Sequence, residues 1–235
     1  YGPDRFFVGV GRDGGGTPAL DLLSREGHPT AVFGVADPLD LGAEMFRWEF
    51  ATAVAGFVIG INPFDQPNVQ EAKDRTNEIL NGKSTVDSRR STVIDQNALR
   101  ALLDSLKPGD YFAITAYVAP TAANEKALTR IRLRVRDTVR VATTLGFGPR
   151  FLHSTGQLHK GGPPTGVFLQ VTAEPAASVP IPGKPYGFGE VVAAQAAGDL
   201  AALLSRKRRA LRVHLPREVA GGLAQLEAAV SGALK

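Results

Sequence analysis

Short apolar runs and longer amphipathic stretches succeed one another along this chain. Phe6-Phe7-Val8-Gly9-Val10 reads as a buried strand, residues 17–26 as a helix and residues 30–36 as a second strand. That order is a β-α-β unit, the building block of a parallel sheet. Residues 41–60 form a long, mostly apolar helical stretch, too hydrophobic for a surface helix, which predicts a place in the middle of its domain. Pro63 and Pro67 then fix φ and remove backbone donors, so one helix must end and another begin. Asp65 is placed to cap the next helix, 67–80, with Pro67 in its first turn.

Residues 81–94 break the periodicity. They open with the polar Asn81-Gly82-Lys83-Ser84-Thr85 and read as a linker. Beyond them the alternation restarts: helix 95–106, strand 111–118, long helix 121–145, strand 166–171, helix 189–204, strand 210–214 and helix 217–234. The expected fold class is α/β, with β-α-β units and a mainly parallel sheet in 1–80, a linker over 81–94, and a second α/β unit over 95–235. No internal repeat is evident.

Composition narrows the class. The chain has 235 residues, 43% hydrophobic and 21% charged, as ordinary globular proteins do. No apolar run is long enough for a membrane span, and Tyr1-Gly2-Pro3-Asp4 does not look like a signal peptide. The absence of cysteine excludes disulfides and thiolate chemistry and fits a cytoplasmic location. Net charge is only +4, but Arg130, Arg132, Arg134, Arg136 and Arg140 share one segment and Arg206-Lys207-Arg208-Arg209 another. Neither is interleaved with aromatics, so solvated helix faces and ion pairs are expected rather than nucleic-acid binding.

Two stretches concentrate chemistry. One is Ile61-Asn62-Pro63-Phe64-Asp65-Gln66-Pro67-Asn68-Val69, with Lys73 near the second turn of the helix that follows. The other is Leu152-His153-Ser154-Thr155-Gly156-Gln157-Leu158-His159-Lys160-Gly161-Gly162-Pro163, which carries two of the chain's four histidines. Backbone amides and hydroxyls of such a loop can cradle an anion, Lys160 adds charge, and histidine exchanges protons near neutrality. A zinc site at His153 and His159 lacks further ligands. Ser154 lacks the elbow sequence of a hydrolase nucleophile. Gly9-Val10-Gly11-Arg12-Asp13-Gly14 imitates a dinucleotide fingerprint, with Asp37 at a fitting distance. Yet Gly9 falls inside the strand, and Gly14-Gly15-Gly16 delays the helix that should hold a pyrophosphate. Glu44 and Glu49 suit ion-pair duty, His28 a helix end, and Asp199 has no assignable role.

Asn-Pro-Phe-Asp-Gln-Pro, followed by Val69 and Lys73, resembles the C-terminal signature of phosphoglucose isomerases, and Trp48 to Phe57 resembles the helix leading into it. Leu-His-Ser-x-Gly-Gln, at His153, occurs in bacterial members. There it precedes the first motif, whereas here it follows by about ninety positions. This order resembles the C-terminal isomerase portion of bifunctional transaldolase–phosphoglucose isomerases.

The resemblance implies interconversion of glucose 6-phosphate and fructose 6-phosphate through ring opening and an enediolate, without a metal or organic cofactor. It implies Lys73 and His153 in ring opening. Ser154, Thr155, Gln157, Lys160 and Gln66 would contact a sugar-phosphate substrate. Residues 1–80 would be the second half of a sugar-isomerase-like domain. The expected partners are the N-terminal isomerase and transaldolase portions of a longer chain, with room for a homo-oligomer, but neither nucleic acid nor membrane. The base that moves the carbon-bound proton has no candidate here. The alternative is a non-catalytic sugar-phosphate-binding or assembly domain of such an enzyme, and a dinucleotide-binding domain comes third.

Overall fold

Strands β1 (Phe7–Gly11) and β2 (Thr30–Gly34) run parallel, Phe7 opposite Thr30, joined by helix α1 (Pro18–Arg25). The computed structural model describes residues 2, 5–12, 14–65, 67–82, 93–175 and 178–234, without the side chains of Val69 and Ala72. It divides into two compact units, Tyr1–Asp65 and Gln66–Lys235.

In the first unit Thr17 caps α1 by accepting from the Leu20 amide at 3.2 Å. The glycines ahead of α1 fold back onto β1: Gly15 sits at φ 71°, and a Cβ on it would lie 2.6 Å from the Gly9 carbonyl oxygen. They serve a close backbone approach, and α1 starts only at Pro18. Helix α2 (Pro38–Ile59) is fixed at both ends, by a reciprocal Asp37–Asp40 capping box and by left-handed Gly60. Inside the turn that follows, the Asn62 side chain accepts from the Phe64 amide at 3.1 Å.

The sequence predicted that this apolar helix would be covered. It is not: only Glu44 and Gly56 of α2 are buried, while Phe57 is 86% exposed, and Phe46, Phe50, Val58 and Ile59 are also exposed. The two-stranded sheet is too small to enclose a helix that is apolar on every face. Among the described residues, no helix is long and apolar enough to cross a membrane.

The second unit holds helices α3 (Pro67–Leu80) and α4 (Gln96–Asp104), then β3 (Tyr111–Tyr117), α5 (Ala122–Val139) and β4 (Ala142–Phe147). After a 3-10 turn, Arg150–His153, come α6 (Gly156–Gly161), β5 (Gly166–Ala173), α7 (Phe188–Ser205), β6 (Arg209–Leu215) and α8 (Val219–Ala233). The four strands are parallel in the order β4-β3-β5-β6.

Side chains alternate across this sheet. Phe112, Ile114, Leu169 and Val171 pack with Leu99 and Leu103 of α4, Leu128 and Ile131 of α5, and Leu223 and Leu226 of α8. Ala113 and Phe168 point the other way, onto Leu203 of α7. Gln170 is fully buried on that second face, donating to the Ala196 carbonyl at 2.9 Å and accepting from Arg212 at 2.8 Å. Helices α3 and α6 pack outside α7, and Arg206, just past its end, reaches Glu71 of α3 at 2.7 Å.

The α/β class and the mainly parallel sheets are as the sequence predicted. Residues 121–145, expected as one helix, instead split into α5 and β4. Arg140 takes a left-handed conformation (φ 60°) and ends α5, after which Thr143 and Thr144 favour the extended strand beside β3. Arg132 ties the two together by donating to the Thr143 carbonyl at 3.3 Å and its hydroxyl at 3.1 Å. The compact division falls after Asp65, so that α3 groups with the second unit. Of the tract expected as a linker, 83–92 lie outside the described residues.

Candidate functional site

Helical spacing puts Lys73, Thr76, Asn77 and Leu80 on one face of α3, and this face forms one side of a cavity of about 280 Å³. Leu152 and His153 of the 3-10 turn, Lys160 of α6, and Val191 and Gln195 of α7 complete it. Lys73 and His153, about ninety positions apart in sequence, therefore line the same cavity, and both are exposed.

Lys160 is different. It is 2% exposed, and its ammonium pairs at 2.5 Å with Asp199 of α7, which is equally buried. Burial pushes the Asp199 carboxyl up, while the neighbouring Lys160 ammonium works against that shift. Burial, and then the Asp199 charge, raise the Tyr117 hydroxyl well above its ordinary value. Lys160 thus enters the cavity wall as one member of a buried ion pair, and Lys73 is the exposed cation of the lining.

Ser154, Thr155 and Gln157, also expected at the substrate, stand apart from the cavity lining. Ser154 donates to the Phe151 carbonyl at 3.1 Å and Thr155 to the same oxygen at 3.5 Å, so both hydroxyls close the turn into α6. Gln157 accepts from the Asn68 amide at 3.1 Å and thereby ties α6 to the first turn of α3. Gln66 lies outside the described residues.

His159 lies under the site, among rings: its centroid is 5.1 Å from that of Phe168, 5.9 Å from Phe151 and 6.0 Å from Tyr111. Burial first, and then the Lys160 charge, bring its pKa down to about 4. It is a neutral core histidine, whereas His153 is exposed in the cavity lining.

Asp199 is the participant that sequence reasoning missed. Its signal was faint: apart from Glu190 in the first turn, it is the single charged residue of α7. Such an acid inside an Ala- and Leu-rich helix needs a buried partner.

No family model matches the chain. Over 67 residues, 28% of the chain, it is 37% identical to a glucose-6-phosphate isomerase of Leptospira interrogans. Over 54 residues, 23% of the chain, it is 37% identical to the glucose-6-phosphate isomerase of Leptospira biflexa. Part of this chain is similar to sugar isomerases. The matched stretches span 13% and 12% of those two relatives. Among solved structures, a hypothetical protein of Thermus thermophilus, TT0462, aligns at a TM-score of 0.45 and 15% identity, over 97% of this chain and 56% of that one.

The pKa of His159 gives a testable pH dependence. A histidine held near 4 in the folded state and near 6.5 when unfolded leaves the unfolded chain binding more protons between those values. Stability should therefore be full above about 6.5 and fall as the pH drops toward about 4, by roughly 3 kcal/mol for this one group. Urea denaturation of the chain and of His159→Leu across that range should show a steeper acid loss in the parent. Parallel curves would assign the acid sensitivity to other groups.

Proposed function

We propose that this chain is the part of an aldose–ketose isomerase that supplies Lys73 and His153 to a sugar-phosphate cavity, interconverting glucose 6-phosphate and fructose 6-phosphate. One observation carries this reading: Lys73, His153 and Lys160 surround one cavity in a chain whose sequence is locally similar to glucose-6-phosphate isomerases. Ring opening needs a proton delivered to the ring oxygen and one removed from the neighbouring hydroxyl. An ammonium and an imidazole lining the same cavity suit those two transfers. The positive charge of exposed Lys73 suits a phosphate dianion and the negative charge of an enediolate.

The reading extends to a bifunctional transaldolase/isomerase of the cytoplasm, in which preceding portions of a longer chain complete the site. The order of the two motifs supports that extension. The uncovered faces of α2 and the two-stranded sheet of the first unit also support it, since both ask for further structure. The glutamate that moves the carbon-bound proton would come from those portions. If the chain is a binding and assembly domain instead, it holds the sugar phosphate and contributes no proton transfer.

A coupled assay with fructose 6-phosphate, run on this chain and on the longer parent, separates the readings. Isomerase turnover in the parent that falls with Lys73 or His153 substitution supports the proposal; turnover indifferent to both supports the assembly role.

A further inference from the structure

The order β4-β3-β5-β6 means that the chain leaves β3 toward one side of the sheet and later returns to β5 on the other. In parallel α/β sheets the crevice at the carboxyl ends of two such strands is where ligands bind. A second cavity, of about 410 Å³, opens there. Tyr117 ends β3, Thr172 and Ala173 end β5, and Arg212 and His214 stand on β6. Helix α7 divides the two cavities. Val191 and Gln195 face the one lined by Lys73, Val192 and Ala196 face this one, and the two share no lining residue.

The walls are chiefly apolar, from Val118, Phe188, Val192 and Val219, and the polar groups are biased to one charge. Arg212 is a fixed donor, anchored on Gln170 at 2.8 Å and on the Ala196 carbonyl at 3.3 Å. Arg217 stands exposed at the rim. His214 is 8% exposed and meets the Thr172 hydroxyl through Nδ1 at 2.9 Å, with its Nε2 3.8 Å from Glu174. Glu174 is the one acid in the lining, against two arginines.

We propose that this cavity is a second ligand site, for a small organic anion in which a single acidic group is carried on an apolar body of aromatic size. The volume lies in the range of small-molecule sites, and apolar walls with a few converging polar groups are their usual chemistry. A sugar phosphate fits poorly, because its hydroxyls would lose water against Val118, Val192 and Val219 with little in return. The proposal is independent of the isomerase reading.

The test uses 1-naphthoate as probe and its neutral counterpart, 1-naphthamide, on the full chain with methyl-labelled valines. Naphthoate should shift the Val118, Val192 and Val219 methyl resonances saturably, and naphthamide should bind roughly three- to tenfold more weakly, the effect of a partly exposed charge contact. Arg217→Glu, a rim change that leaves the core intact, should weaken naphthoate by a similar factor of about three to ten and leave naphthamide unchanged. Ala193→Trp, which fills the cavity, should abolish the shifts. Shifts confined to residues 1–65, equal binding of the two probes, or naphthoate binding unaffected by Arg217→Glu would each overturn the proposal. Fructose 6-phosphate moving the same three methyls more strongly than naphthoate would overturn the ligand class.

Discussion

Replacing Asp199 by alanine should destabilise the second unit by about 3–5 kcal/mol, the usual cost of removing one partner from a buried ion pair. Lys160 has nowhere else to place its charge: its side chain is 1% exposed, and the opposing carboxylate is 2.5 Å away. Chemical denaturation of the parent and of Asp199→Ala measures the effect directly. Replacing both partners by apolar residues, Lys160→Met with Asp199→Leu, should recover most of the loss, since the pair itself adds little net stability. A single substitution that costs less than about 1 kcal/mol would mean that Lys160 finds water or another acceptor, and that the pair does not set its position.

The second large effect is kinetic. In the longer isomerase proposed above, Lys73→Ala should lower turnover by about two to four orders of magnitude, as loss of a proton-transfer group does. Lys73 is exposed, so stability should hardly change, and this separates a chemical role from a structural one. Lys73→Arg is the sharper variant. It keeps the positive charge for the phosphate but gives up its proton far less readily, so substrate affinity should survive while turnover does not. Near-normal turnover in either variant would remove Lys73 from the chemistry.

Much of this molecule was legible in the sequence, because period and punctuation agree. The glycine-to-proline run from Gly14 to Pro18 and Gly60 after an apolar run mark helix ends that the structure places within a few residues. Strand β4 was missed because a long amphipathic stretch runs into it without a glycine or proline; a left-handed arginine makes the break, and no residue type announces that.

At the site, the face carrying Lys73, Thr76 and Asn77 follows from helical spacing alone. The approach of His153 to it does not, since it depends on α3 packing against α6 and α7. Nor could the sequence tell His153 from His159. Both lie in the same polar cluster, and only the ring neighbours of His159 mark it as core. The polar appearance of Ser154, Thr155 and Gln157 suggested substrate contacts. In the fold Ser154 and Thr155 donate to the Phe151 carbonyl, satisfying the backbone of their own turn, and Gln157 accepts from the Asn68 amide at the free first turn of α3.

The central claim is that the cavity between α3, the 3-10 turn, α6 and α7 is the sugar-phosphate site. A crystal structure of the proposed longer isomerase soaked with fructose 6-phosphate tests it most directly. The sugar phosphate should occupy that cavity, with Lys73 and His153 both within hydrogen-bond distance of it. Density for the sugar phosphate in another cleft, with Lys73 and His153 touching only solvent, would contradict it.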